Sequence, residues 1–227
     1  MLTILGVTGS IGCGKSTVTR LLGELGAHTL DADLAARQAL APGSPILARV
    51  ADAFGADLLL GEGPPETRTL DRVRLAERIF ADPDQRRRLE ALVHPQVFRT
   101  LAMTLHQWDL ATPAASHAIA ALEIPLLFET GSDSLCDAIL VVTCGERQQE
   151  RLASRHTLSP TTRQQIIAQQ WPEIRKCQRA DFIIDNGSTP DQLSAQLQPI
   201  WETLRRRSDD RSPAWPHQWL SHLRTNG

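Results

Sequence analysis

The stretch Gly9-Ser10-Ile11-Gly12-Cys13-Gly14-Lys15-Ser16 carries glycine, lysine and hydroxyl side chains in the spacing G-x-x-x-x-G-K-S. Glycines at positions 9, 12 and 14 let the backbone turn tightly and aim consecutive N–H groups at one point. An anion held there also meets the positive end of the following helix. The pattern therefore reads as a phosphate-binding loop. Gly12, Cys13, Gly14, Lys15 and Ser16 cradle the phosphates and Thr17 faces the innermost one. Lys15 reaches the outer phosphates as a point charge, and the Ser16 hydroxyl is a ligand for a bridging magnesium ion. This is the chemistry of a nucleoside triphosphate site.

A loop of this kind must be held between a strand and a helix, and both are legible. The apolar run Leu2 to Val7 precedes it and a helical pattern, Thr17 to Leu25, follows, with Gly26 as its stop. Further apolar runs at Ala118 to Ile124, Ala138 to Thr143 and Phe182 to Ile184, with a short one at His28 to Leu30, predict five buried strands. Helical patterns lie between them, which predicts an α/β fold with a mostly parallel sheet covered on both faces. Proline follows Asp82, His94, Ser159, Trp171 and Thr189, and each of these pairs predicts a helix start. Residues 61–111 show helical periodicity without a convincing strand, including Leu89, Leu92, Val93, Val97 and Leu101, and read as a helical insertion entered through an exposed loop at Gly61 to Thr69. Past Arg205 the chain turns polar, and Trp215 and Trp219 predict that this tail, residues 205–227, docks back on the body or on a partner.

Composition narrows the classes. The chain has 227 residues, enough for one α/β domain with an inserted subdomain. Hydrophobic residues make up 41% and charged residues 22%, and no apolar run reaches the length of a membrane span, so the expected protein is soluble and has no membrane partner. A net charge of -2 provides no field for nucleic acid, and none is expected as a partner. The N-terminus enters a strand without a signal-like segment, which predicts a cytoplasmic protein, with the oligomeric state open and a monomer favoured. Cys13, Cys136, Cys144 and Cys177 lack metal-ligand spacing and read as free thiols. Cys13 alone stands at a functional loop, where the helix terminus favours a modifiable thiolate, although a small residue packed in a tight loop explains it as well.

Other residues extend the pattern. Asp33 follows the second strand at the sheet's carboxyl edge, where α/β proteins bind ligands, and suits either a general base or a helix N-cap. Arg151 and Arg155 are four residues apart, so they share one helix face and can converge on transferring phosphates; a solvated basic face is the plain alternative. Asn186, in Asp185-Asn186-Gly187, can read an adenine edge or simply form a turn. Arg72 can meet a substrate phosphate or pair with Asp71 and Glu77, and His94 suits either substrate contact or packing.

In order along the chain stand Asp31-Ala32-Asp33, Leu70-Asp71-Arg72, Leu89 to Pro95 and Pro125-Leu126-Leu127-Phe128-Glu129. Then follow Gln148, Arg151, Arg155, Gln169, Pro172, Lys176, and Ala180-Asp181 through Asn186. Together with the phosphate loop they resemble the dephospho-CoA kinase family over roughly residues 2–200. The resemblance implies a P-loop three-layer fold with a five-stranded sheet. Its nucleotide core would be residues 1–60 and 112–204, its helical lid about 146–178, and its CoA-substrate unit the insertion 61–111. It implies ATP and magnesium as cofactors and dephospho-CoA as the small-molecule substrate, phosphorylated on its ribose 3′-hydroxyl in the last step of coenzyme A biosynthesis. Asp33, Lys15, Arg151 and Arg155 would be catalytic; Asp33, Arg72, His94, Leu126 and Glu129 would bind substrate; Ser16 and Glu123 would place the metal. Glu123 stands where the family usually has aspartate, one methylene shorter. A nucleoside or nucleotide kinase shares this core, and the insertion distinguishes the two. A GTP-binding switch needs an Asn-Lys-x-Asp element, which the sequence lacks; Asp52-Ala53-Phe54-Gly55 matches its Asp-x-x-Gly but falls in a helical pattern.

Overall fold

The computed structural model describes residues 2–80, 82–113, 116–153, 160–207 and Trp219. Within these the elements run β1 (Leu2–Gly9), α1 (Lys15–Glu24), β2 (His28–Asp31), α2 (Ala32–Ala39), α3 (Pro45–Phe54), β3 (Leu59–Leu60), β4 (Thr69–Leu70), α4 (Arg72–Phe80) and α5 (Pro83–Ala111). They continue with β5 (Ala118–Glu123), β6 (Ala138–Thr143), α6 (Arg147–Ala153), α7 (Pro160–Gln169), α8 (Glu173–Cys177), β7 (Phe182–Asp185) and α9 (Pro190–Arg207). The chain divides into two compact units. One is Met1–Ala32 with Thr104–Ser221; the other holds Asp33–Met103.

The first unit is built on a five-stranded sheet in the order β2-β5-β1-β6-β7, with every pairing parallel. Its strands fall where the apolar runs predict, but β2 and β7 are not buried throughout as expected, because each is an edge strand paired on one side only. All eight residues of β1 are buried, as a central strand covered on both faces requires. Val18 and Leu22 of α1 and Leu193, Leu197, Trp201 and Leu204 of α9 close over Leu5, Val7, Leu140, Val142 and Ile184. The α9 start is a capping box: Thr189 Oγ1 accepts from Gln192 N at 3.4 Å, and Gln192 Oε1 accepts from Thr189 N at 3.1 Å. Trp219 is fully buried and its Nε1 donates to the Leu135 carbonyl at 2.8 Å, so this one residue of the tail packs on the body. Trp215 lies outside the described residues.

The second unit is helical but larger than the expected insertion, because α2 and α3 belong to it. Ser44 caps α3 by accepting from Ile46 N at 3.2 Å, with Pro45 at the first helical position. Asp52-Ala53-Phe54 lies inside α3, so the resemblance to a switch motif is coincidental. The segment expected to lack strands forms a short antiparallel hairpin, Leu59 opposite Leu70 and Leu60 opposite Thr69. Two-residue strands leave too little alternation to be seen in sequence. Another expectation fails at Pro95, which starts no helix. It sits inside α5, a helix of 29 residues, where it removes one backbone donor. Val93, Val97, Leu101, Ala102 and Leu105 form a continuous buried stripe through that point, and their burial carries the helix past the proline.

Candidate active site

β1 delivers the phosphate loop and α1 receives it. Gly12 and Gly14 adopt φ of +84° and +81°. At Gly14 a Cβ would also stand 2.1 Å from Asn186 Nδ2, so the position excludes any side chain. The first turn of α1 carries no acidic residue, so its N–H groups keep their positive potential. Lys15 is 8% exposed, and its ammonium donates to the Gly9 and Ser10 carbonyls at 3.0 and 3.2 Å. The charge is thus held against the carbonyls at the start of the loop. Beside it opens a cavity of about 560 Å³ whose lining includes Gly12, Ser16, Thr17, Arg147, Arg151 and Asn186. A nucleotide fits a cleft of this size.

Side chains from β6 onward hold the loop's backbone. Asn186 is buried, and its Nδ2 donates to the Cys13 carbonyl at 2.7 Å. One amide N–H of Asn186 is thus directed at the loop, and the residue also lines the cavity. Arg151 donates to the Cys13 carbonyl at 3.3 Å and the Asn186 carbonyl at 2.8 Å, which sets its guanidinium at the cavity edge. Arg155 lies outside the described residues. Gln148 Nε2 donates to the Ile11 carbonyl at 2.9 Å, and Gln170 Oε1 accepts from Ile11 N at 2.8 Å. Cys13 is fully buried, and burial, with the Cys144 thiol 3.0 Å away, pushes its thiol well above the usual range. The modifiable-thiolate reading is thereby corrected in favour of packing.

At the carboxyl edge of the sheet, Asp31 of β2 and Glu123 of β5 are register partners, and Glu123 is also opposite Val7 of β1. Paired residues of parallel strands direct their side chains to the same face, so these two carboxylates form one acidic step. Carboxylate and hydroxyl oxygens, such as that of Ser16 in the first turn of α1, are of the hard type that magnesium prefers.

Glu129, expected to bind substrate, is held by partners within the protein. Its side chain is 10% exposed, its Oε1 accepts from Trp171 N at 2.6 Å, and the ammonium of Lys176, itself wholly buried, lies 3.0 Å away. Lys176 also donates to the Pro125 carbonyl at 3.4 Å. This pair anchors residues 170–176 to the turn after β5. Leu126 in that turn is half-buried, and its carbonyl accepts from Thr130 Oγ1 at 2.8 Å.

In the helical unit Asp33 stands in the first turn of α2, inside the helix rather than at its cap. Arg72, exposed at the start of α4, donates to the Arg37 carbonyl at 3.2 Å. Asp71 pairs with Arg74 and accepts from its N–H at 3.0 Å. His94 sits on α5 in edge contact with Phe98, 6.3 Å between ring centres. The residues missed by spacing are Gln170 and Glu173, whose partners Ile11 and Cys13 are about 160 positions away in the chain. No local signal marks such contacts.

A parallel five-stranded α/β sheet feeding a G-x-x-x-x-G-K-S loop, with basic side chains around the adjoining cavity, defines a P-loop kinase. A profile of the dephospho-CoA kinases matches residues 3–191. A dephospho-CoA kinase from Anaeromyxobacter dehalogenans is 41% identical over 214 residues, covering 94% of this chain and 97% of that one. One from Geobacter metallireducens is 39% identical over 201 residues, covering 88% and 95%. Among solved structures, a Thermus thermophilus protein superposes with TM-score 0.70 at 32% identity over 89% of this chain and 97% of its own. A dephospho-CoA kinase from Campylobacter jejuni gives TM-score 0.64 at 25% identity over 91% and 99%. The chain belongs to the dephospho-CoA kinase family.

Proposed function

We propose that this kinase moves the γ-phosphoryl group of ATP onto the ribose 3′-hydroxyl of dephospho-coenzyme A, giving coenzyme A and ADP in the cytoplasm. The observation that carries the reading is a phosphate loop pinned on its carbonyl side and open to a nucleotide-sized cavity, in a chain of this family. Lys15 and the loop amides hold the β and γ phosphates, and Thr17 faces the α-phosphate. Ser16, with the Asp31 and Glu123 step behind it, would hold magnesium directly or through water. When bound, that ion neutralises charge developing on the phosphates. Arg151, and Arg155 with it, balances charge spread over the transferring group.

Asp33 is the base of this reading. It accepts a hydrogen bond from the 3′-hydroxyl, orients it in line, and takes its proton late in the transfer. The helical unit Asp33–Met103 takes the CoA-like acceptor, with Arg72 toward its phosphate and His94 as a further contact. Leu126, in the turn after β5, is a further acceptor contact in this reading.

A coupled ADP-release assay with MgATP tests the reaction, comparing dephospho-coenzyme A with adenosine, AMP and no acceptor. Release only with dephospho-coenzyme A, with coenzyme A as product, is the expected result. Release with another acceptor, or acceptor-independent hydrolysis alone, overturns it.

A further inference from the structure

Both polar atoms of the Ile11 backbone, at the tip of the phosphate loop, are taken by glutamines from far along the chain. Its N–H is 2.8 Å from Gln170 Oε1, directly after α7, and its carbonyl is 2.9 Å from Gln148 Nε2, on α6. A backbone N–H only donates and a carbonyl only accepts, so the orientation of each side-chain amide is dictated. Gln170 must present oxygen and Gln148 must present nitrogen. Both residues lie within the segment 146–178 that the family pattern assigns to the lid, and they clamp one loop residue from both sides.

The place of Gln170 is itself fixed. The next residue, Trp171, donates its N–H to Glu129, which pairs with the buried Lys176, while Glu173 receives the Cys13 thiol at 3.9 Å. Trp171 also stacks on Phe128, with ring centres 5.6 Å apart at 7°, under the Arg175 guanidinium at 3.6 Å. Residues 170–176 are thus riveted to the core, and Gln170 reaches Ile11 from a rigid base.

We propose that Gln148 and Gln170 are positioning residues for phosphoryl transfer: they fix the Ile11 peptide so that the loop amides stay aimed at the nucleotide phosphates. The inference rests on the kinase reading above. Neither glutamine needs to touch substrate. Loop geometry acts on the nucleotide, so the clamp governs ATP use and leaves acceptor binding alone.

Exchanging each glutamine for glutamate tests it cleanly. Both substitutions put the same negative charge beside the same residue, but Gln170→Glu keeps the acceptor that Ile11 N–H needs, whereas Gln148→Glu replaces a donor with an oxygen facing a carbonyl. KM for ATP, KM for dephospho-coenzyme A, kcat and Tm are measured for both, and for Gln170→Met and Gln148→Met. The expected result is a KM for ATP raised at least about tenfold more by Gln148→Glu than by Gln170→Glu. The methionine variants should each raise it severalfold, with KM for the acceptor and Tm held near wild type. Equal effects of the two glutamates, or a matched rise in both KM values with falling Tm, overturns the clamp. Absence of acceptor-dependent ADP release by the wild type itself strikes the kinase reading instead. Should one glutamate variant fail to fold, the methionine pair decides: an unchanged KM for ATP in both overturns the proposal.

Discussion

Asn186 Nδ2 lies 2.7 Å from the carbonyl oxygen of Cys13, so a side chain at the end of β7 fixes the phosphate loop of β1 across 173 positions of sequence. The same amide occupies the space a Cβ on Gly14 would need. One contact therefore holds the loop's carbonyl and explains its glycine.

Asn186→Leu should follow from this directly. The buried Cys13 carbonyl loses its shorter donor, which costs about 1–3 kcal/mol. Urea denaturation should show that loss, and KM for ATP should rise severalfold while KM for dephospho-coenzyme A holds. Unchanged stability would mean that the Arg151 donor alone satisfies the carbonyl.

Asp33→Asn removes the proposed proton acceptor and keeps the side chain's shape. It should lower kcat by about a hundredfold or more and leave ATP affinity intact. Retained turnover would take Asp33 out of the chemistry and leave it a favourable charge in the first turn of α2.

Trp219 is wholly buried although the sequence around it reads as tail. Trp219→Ala should cost about 3–5 kcal/mol and lower Tm accordingly, with turnover per folded molecule preserved at moderate temperature. A chain cut after Leu204 should therefore lose stability while its chemistry survives, which thermal unfolding beside a kcat measurement would show.

Burial holds the Glu173 carboxyl above the usual range, with the Cys13 thiol's hydrogen bond opposing the shift. A carboxyl that keeps its proton longer in the folded state binds more protons folded than unfolded. Its contribution to stability thus falls as pH rises through the region above the ordinary glutamate range. Glu173→Gln abolishes that titration, so the variant should gain on the wild type between mildly acidic and neutral pH. Chemical denaturation at both pH values reads the difference, and a gap that does not widen with pH would refute it.

The strands were legible because β1, β5 and β6 are apolar on both faces and bounded by turn residues, a pattern that only a covered parallel strand needs. The loop was legible because its chemistry is local: glycines, lysine and serine must be adjacent to cradle one polyphosphate. The β3–β4 hairpin and the passage of α5 through Pro95 were not, since two-residue strands carry no period and a proline signals a break unless packing outweighs it.

Sequence by itself determined the fold class, the phosphate loop and the family, since each is written in short-range pattern or ordered motifs. Tertiary structure alone decided what those motifs do for one another. It paired Glu129 with the buried Lys176 and directed an amide N–H of Asn186 at the loop. It also gave Gln148 and Gln170 a shared target in Ile11. A hydrogen bond depends on distance and angle between atoms, and for residues over a hundred positions apart only the folded chain sets either.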